Sequence, residues 1–457
     1  MSDRKDKLKN LKTSSVDRRL SIVKASFLAG TRWATSNAST IFSSEEEKER
    51  KRKKALKEQA EYLVNEIGKL KGSIVKIGQM MALYGEHFLP EEVTQALNTL
   101  NNQTVALEWN AIKTQLIAEL GDKLNELEID PEPIGTASLA QVHRAKRKSD
   151  GLEIVLKIQY PGVADAIDSD MNLFKSMLKL THIVPQTREF DQWFEEVREM
   201  MHREVDYKIE AATTRRFAEY LKDDSRYIVP QIIDNYCTPQ ILCMTFEQGV
   251  PVNSPEILAL SQHKRNNLAE AALDIAIREL FEWGEMQTDP NFGNYLVRMS
   301  PSDTQPDQIV LLDFGAIRQF DQTLLKVAHA LIKAGYEHDL SMMTNAMTGY
   351  DFFDLIPVGI KPDMAKVFLL ATEPFSSLEN NPDIPQGVID LQNRYHWKQS
   401  NLHSRVMQRA SKSMASRYFS VPPKEFMFIS RKFIGAYTFM TVLDAQTNVR
   451  KLLQPFM

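Results

Sequence analysis

The apolar positions change their period several times along the chain. Over residues 45–71, Leu63, Ile67 and Leu70 recur every three to four residues behind alternating blocks of Glu and Lys, the pattern of an amphipathic helix with a solvated face. A second helix follows, carrying Ile74, Ile77, Met80, Met81 and Tyr84 and broken near Gly85; Pro90-Glu91-Glu92 reads as the first turn of another, and 109–120 is a further amphipathic run. The period then drops to two. Residues 129–133, 139–145 and 153–158 are short strands with polar or small-residue turns between them, the second turn being Lys148-Ser149-Asp150-Gly151, which predicts an antiparallel meander.

Helical periodicity returns over 161–222 and is strongest at 191–217. Short strands resume at 227–229, 231–236 and 240–246, and Gln248-Gly249 marks an expected junction between lobes. Beyond it come a long amphipathic helix at 266–283, a loop containing Asp289, a strand at 295–297, a polar turn over 300–308, and an apolar strand at 309–312 that runs into Asp313. Residues 320–457 are helical in pattern apart from a loop over 373–387. The expected class is α+β: a bilobal core with a peripheral arm at 1–44, a helical extension at 45–128, a small lobe with a helical insert at 129–248, and a mostly helical large lobe at 249–457.

Composition narrows the picture. At 457 residues and 43% hydrophobic content the chain can fill more than one core, and a net charge of −4 offers no general attraction for nucleic acid. The first twenty residues are predominantly basic, which suits a frayed terminus or an arm drawn to an anionic surface. The apolar stretch at 22–33 is interrupted by Lys24, Thr31 and Arg32, too short and broken for a secretory signal, and 426–443 carries Arg431 and Lys432 in its middle, which favours a core helix over a membrane span. Cys237 and Cys243 form no disulfide framework and no four-ligand zinc pattern. The chain reads as cytoplasmic, with any membrane attachment peripheral.

Transfer of phosphate from ATP needs a cation on the phosphates, oxygen ligands for a divalent metal, and a group that places the acceptor. Lys157 lies inside the apolar strand Glu153-Ile154-Val155-Leu156-Lys157-Ile158, where an ammonium group must snorkel or find an anion; Glu210 on the later helix can supply that anion. Asp289 and Asn294, within Thr288-Asp289-Pro290-Asn291-Phe292-Gly293-Asn294, have the Asp-x-x-x-x-Asn spacing of a kinase catalytic loop. Asp313-Phe314-Gly315 follows a buried strand, and Mg²⁺ shared with Asn294 would neutralise its carboxylate. Asp-Pro, Gly-Asn and a strand-end Asp are also ordinary loop punctuation. The ordered set is what points to ATP and Mg²⁺. Gly135-Thr136-Ala137-Ser138 stands between the first two strands with one glycine only, so it is stiffer than a glycine-rich phosphate loop.

In these motifs the chain resembles the UbiB/AarF family of atypical protein-kinase-like proteins. Lys76-Ile77-Gly78-Gln79 looks like the family's Lys-x-Gly-Gln motif, Glu204-Val205-Asp206 its Glu-x-Asp element, and Gly135-Thr136-Ala137-Ser138 stands at the place of its alanine-rich loop. The resemblance implies that Lys76 and Gln79 belong to a helical extension folded over the nucleotide, that Glu204 and Asp206 are the partner element of that extension, and that Lys157, Glu210, Asp289, Asn294 and Asp313 are the ion pair, catalytic loop and metal motif. Gln287 and Asn291 replace the histidines of the family's usual loop, and Phe292 replaces a proline. The resemblance further implies an Mg²⁺-dependent ATPase or small-molecule kinase serving coenzyme Q or other isoprenoid-lipid metabolism, with an isoprenoid lipid or quinone precursor as partner. The alternatives are a nucleotide-binding lipid chaperone or scaffold with little turnover, and a Ser/Thr protein kinase.

Overall fold

The computed structural model describes residues 45–457 apart from 71, 86–88, 103–105, 181–186, 290, 303–304, 349–352, 354–356 and 415–423. The expected arm at 1–44 and Pro290 of the Asp289 loop lie outside the described residues. In chain order, helices α1 (Glu45–Leu70), α2 (Ser73–Tyr84), α3 (Glu91–Asn98) and α4 (Trp109–Leu120) precede strands β1 (Leu127–Thr136), β2 (Ala140–Arg147) and β3 (Glu153–Gln159). Next come α5 (Val163–Leu180), α6 (Arg188–Glu204), α7 (Tyr207–Leu221), β4 (Tyr227–Ile228), β5 (Ile241–Thr245), β6 (Val250–Pro251), α8 (Gln262–Arg278), β7 (Glu285–Gln287), β8 (Tyr295–Arg298), β9 (Gln308–Leu311) and β10 (Ile317–Gln319). The main elements of the remainder are α9 (Gln322–Glu337), α10 (Leu340–Ala346), α11 (Lys361–Ala371), β11 (Tyr395–His396), α12 (Leu402–Met414), α13 (Lys424–Val442), β12 (Gln446–Thr447) and α14 (Val449–Leu453). The class is α+β, as the periodicity predicts. The described residues divide into two compact units, one within 45–212 with 231–246, the other within 213–230 with 247–457.

In the first unit the meander is realised as a four-stranded antiparallel sheet in the order β1-β2-β3-β5. Strand β3 is therefore internal, and Ile154, Leu156 and Ile158 are wholly buried. Helix α2 buries Ile74, Ile77 and Met81 and packs on α3, α5 and α6. Gly78 permits that approach: a Cβ there would lie 2.5 Å from Cδ1 of the fully buried Leu100. The helical run over 191–217 is two helices, because the chain turns at Val205-Asp206 and Asp206 Oδ1 accepts the backbone N–H of Lys208 at 3.0 Å.

The second unit holds the sheet β4-β9-β8-β6, parallel only between β4 and β9, and two small ladders, β7 with β10 and β11 with β12. Helices α9, α10 and α11 close on Leu331, Ala334, Met343, Phe353 and Met364. Helix α13 packs on α8 and β7 and buries Phe439 and Met440, and Leu443 directly after it is buried as well.

The structure corrects several expectations. Residues 231–236 are not a strand: Pro230 and polar neighbours leave a single bridge, Ile232 to Met244, and a 3₁₀ turn at Asp234–Tyr236. Pro90 stands just before its helix in extended backbone and not within the first turn. The expected 266–283 helix begins earlier, at Gln262 after the Ser261 cap, and ends as a π turn, Glu279–Trp283, stopped by left-handed Gly284. Strands β7, β10, β11 and β12, of two or three residues each, carry too short a pattern to be read. No described helix is long and apolar enough to cross a membrane.

Candidate active site

In the first unit, β3 places Lys157 between Val142 of β2 and Leu242 of β5, so the lysine is central in the sheet and not at an edge. Its Nζ donates to both carboxylate oxygens of Glu210, at 2.7 and 2.9 Å, and lies 5.3 Å from the centre of the Tyr207 ring. Glu210 is 4% exposed. The pair is thus a largely buried, two-pronged ion pair, in which removing either partner takes a two-bond counter-charge from the other, at a cost of roughly 3–5 kcal/mol. Gly135 and Thr136 end β1, paired with Val142 and Gln141, and Ala137 N–H donates to Ala140 carbonyl at 2.8 Å to close the hairpin through Ser138. A Cβ at Gly135 would meet only Val142, at ordinary van der Waals distance, so this glycine is not demanded by packing. Thr136 and Ala137 are exposed at the tip.

The extension motif is partly drawn together. Lys76 forms an ion pair with Glu204 at the end of α6. Gln79, one helical turn on, donates instead to the carbonyl of Leu100 at 3.1 Å. Asp206 begins α7. Ser73, at the first turn of α2, donates to the buried Asp170 of α5, a second polar tie that the motif spacing does not suggest.

In the second unit the metal end is assembled by register. Tyr295 pairs with Leu311 across β8 and β9, and Leu312 N–H donates to Asn294 carbonyl at 3.0 Å, which brings Asn294 and Asp313 to the same end of the ladder. Asn294 Nδ2 donates to Asp289 Oδ2 at 3.1 Å. The amide nitrogen is thereby committed to Asp289, and its Oδ1 is the atom available for a cation. Asp313 Oδ1 accepts Gly315 N–H at 2.8 Å, so the plain turn-capping role is present too. Phe314 is buried and packs 5.1 Å from Phe217, which also meets Trp283 and Tyr220 edge-on.

Gln287, in sequence only a departure from the family's loop, ties the two motifs together. Its Nε2 donates to Asp313 carbonyl at 2.5 Å while its Oε1 accepts Asp289 N–H at 2.9 Å. Thr288 N–H and Oγ1 both donate to Ala316 carbonyl, at 3.1 and 2.8 Å, extending the β7–β10 ladder. Asn291, the other replaced position, accepts Gly293 N–H at 2.9 Å and caps the 3₁₀ turn. Among the described residues no group of three His, Cys, Asp or Glu gathers around a common point. A hard Mg²⁺ ion needs no such group, because one or two carboxylates, an amide oxygen, waters and substrate phosphates complete its octahedron. Asn294 and Asp313 fit that donor set.

A strand lysine locked to a helix glutamate, with an Asp/Asn loop and an Asp-Phe-Gly turn joined by one side chain, defines a kinase-like protein. The family model described as ABC1 atypical kinase-like domain matches residues 99–347, more than half of the chain, and the chain belongs to that family. It is 28% identical over 400 residues to "Atypical kinase COQ8, mitochondrial" of Schizosaccharomyces pombe, covering 86% of this chain and 61% of that protein. To "Probable serine/threonine-protein kinase abkA" of Dictyostelium discoideum it is 29% identical over 423 residues, covering 87% and 70%. The solved complex of Rv3197 with erythromycin from Mycobacterium tuberculosis shares the fold, with a TM-score of 0.55 at 20% identity over 90% of this chain and 98% of that one.

Proposed function

We propose that the chain transfers the γ-phosphoryl group of ATP, with Mg²⁺, to a hydroxyl of an isoprenoid lipid or quinone precursor, or to water. The observation that carries this is the metal end: Asn294, turned by its bond to Asp289, shares one end of the β8–β9 ladder with Asp313. Lys157, held by Glu210, binds the α- and β-phosphates, and the Gly135-Thr136-Ala137-Ser138 turn covers them. When bound, Mg²⁺ neutralises charge building on the phosphate oxygens. Asp289 orients the acceptor hydroxyl and takes its proton as the oxygen attacks the γ-phosphorus. The bond to the β–γ bridging oxygen breaks and ADP leaves. Lys76 and Glu204, with Gln79 and Asp206 beside them, order the extension over the nucleotide and disfavour peptide acceptors. The acceptor class rests on the family resemblance.

The test is thermal unfolding with ATP, with and without Mg²⁺, followed by phosphate release with and without vesicles carrying a polyprenyl quinone precursor. At a ligand concentration a hundredfold above Kd, ATP stabilises the native state by about 2.7 kcal/mol. The Mg²⁺-dependent part of that gain is expected to vanish in Asp313→Asn and on chelation of the metal. Equal Mg²⁺ dependence in Asp313→Asn and the wild type would sink the proposal. The name borne by the Dictyostelium relative favours one second reading, phosphorylation of protein Ser/Thr. Transfer to a generic peptide that disappears in Asp289→Asn would put that reading first.

A further inference from the structure

The Asp289 loop is flanked by a buried charge pair that its sequence motif does not include. Glu279, in the π turn after α8, is 1% exposed, and Lys432, in the middle of α13, is 5% exposed. Their Nζ and Oε2 atoms are 2.6 Å apart. Such a pair is costly to bury and stabilises little by itself, so its retention in a core calls for another role.

Each partner also lies against one end of the loop. The π turn that carries Glu279 packs against β7, whose last residue, Gln287, lies two residues before Asp289. Lys432 lines one cavity together with Tyr295, the residue directly after Asn294. Phe439, two turns along α13, sits 6.0 Å from both Phe292 and Tyr295, between ring centres. Loop entry, loop exit and loop apex are thus all referred to one ion pair and one helix, and that helix lies beyond the residues matched by the family model.

We infer that Lys432 and Glu279 are positioning residues, which fix the Asp289–Asn294 loop from behind by backing β7 and Tyr295. This deepens the phosphoryl-transfer reading and rests on it for its catalytic meaning, while the clamp itself is independent of any ligand. A cavity lined by Ala272, Tyr295, Lys432, Gly435, Ala436 and Phe439 adjoins Lys432, so Lys432→Arg can be accommodated and should preserve the clamp.

Two measurements test it. The first is hydrogen exchange of the amides at 287–295 in the free protein. In Glu279→Gln/Lys432→Met, which removes both charges and leaves neither uncompensated, exchange there is expected to rise about tenfold or more while the α9–α11 core is unchanged. Lys432→Arg should remain within about threefold of wild type. The second is turnover: the neutral double variant should lose about tenfold or more in kcat with the KM for ATP within about threefold, the signature of misplaced reacting groups and not of lost ground-state binding. Wild-type exchange at 287–295 in the double variant overturns the inference. So does faster exchange that appears only together with loss of the α9–α11 core, since the pair would then be a general stability element. If wild-type protein shows no Mg²⁺-dependent response to ATP, the functional proposal falls, and the exchange comparison still decides the clamp.

Discussion

Two side chains do most of the local organising. Lys157 gains its place because β3 is internal, where an ammonium group needs an anion and the Glu210 carboxylate supplies it. Lys157→Met is expected to lower stability by about 3–5 kcal/mol by removing the two-pronged counter-charge of the buried Glu210. Combining it with Glu210→Gln should restore most of that stability in a thermal melt but not the ATP-dependent shift, which separates the structural role of the pair from the phosphate role. Gln287 acts by hydrogen bonds alone, one to the Asp289 amide and one to the Asp313 carbonyl. Gln287→Leu leaves both backbone groups without that partner, at a cost of about 1–3 kcal/mol, and a displaced loop should reduce turnover by roughly a hundredfold. A phosphate-release assay on folded variant protein measures this, and unchanged kcat would show that the Gln287 side chain is not needed to position the loop.

At the scale of elements, the extension is held by packing and by polar ties of different kinds. Gly78 lets α2 lie close to Leu100, where an added methyl group has no space unless a fully buried leucine moves. Gly78→Ala should therefore lose about 1 kcal/mol net, the gain of about 1 kcal/mol in helix propensity being outweighed by overpacking of about 1–3 kcal/mol. A melting temperature above that of the wild type would contradict this. Asp206 starts α7 as a cap, so Asp206→Ala should cost about 1 kcal/mol of stability and displace the helix that carries Glu210. Its effect on ATP affinity, read by titration, tells whether the resemblance-derived role toward nucleotide exceeds the capping role.

For the whole molecule, the segment beyond the matched 99–347 is part of the core of the second unit. Phe439 and Met440 are buried on α13, as is Leu443 directly after it, and Lys432 compensates Glu279. A chain ending at residue 347 would expose the apolar faces of α8 and β7 and leave Glu279 without its cation, so it is expected not to fold cooperatively. A sharp thermal transition in that truncated chain, followed by circular dichroism, would refute this.

The chemistry in the two sequence motifs was legible because it is local. Asp289 and Asn294 sit five residues apart on one loop, Asp313 ends an apolar strand, and Lys157 interrupts one; period and spacing suffice for these, as they do for the α+β class and the antiparallel meander. Glu210 was legible through the resemblance and the helix that carries it. What tertiary structure alone decided is long-range and made by residues of unremarkable type. The β7–β10 ladder is three residues on each side, too short for a period. Gln287 is a polar residue at a strand end until Asp313 folds beside it. Lys432 argued in the sequence only against a membrane span, because a lysine in an apolar helix does not reveal its anion. Its partner, Glu279, lies on another helix far away in the chain, and only packing of α13 against α8 brings the two together.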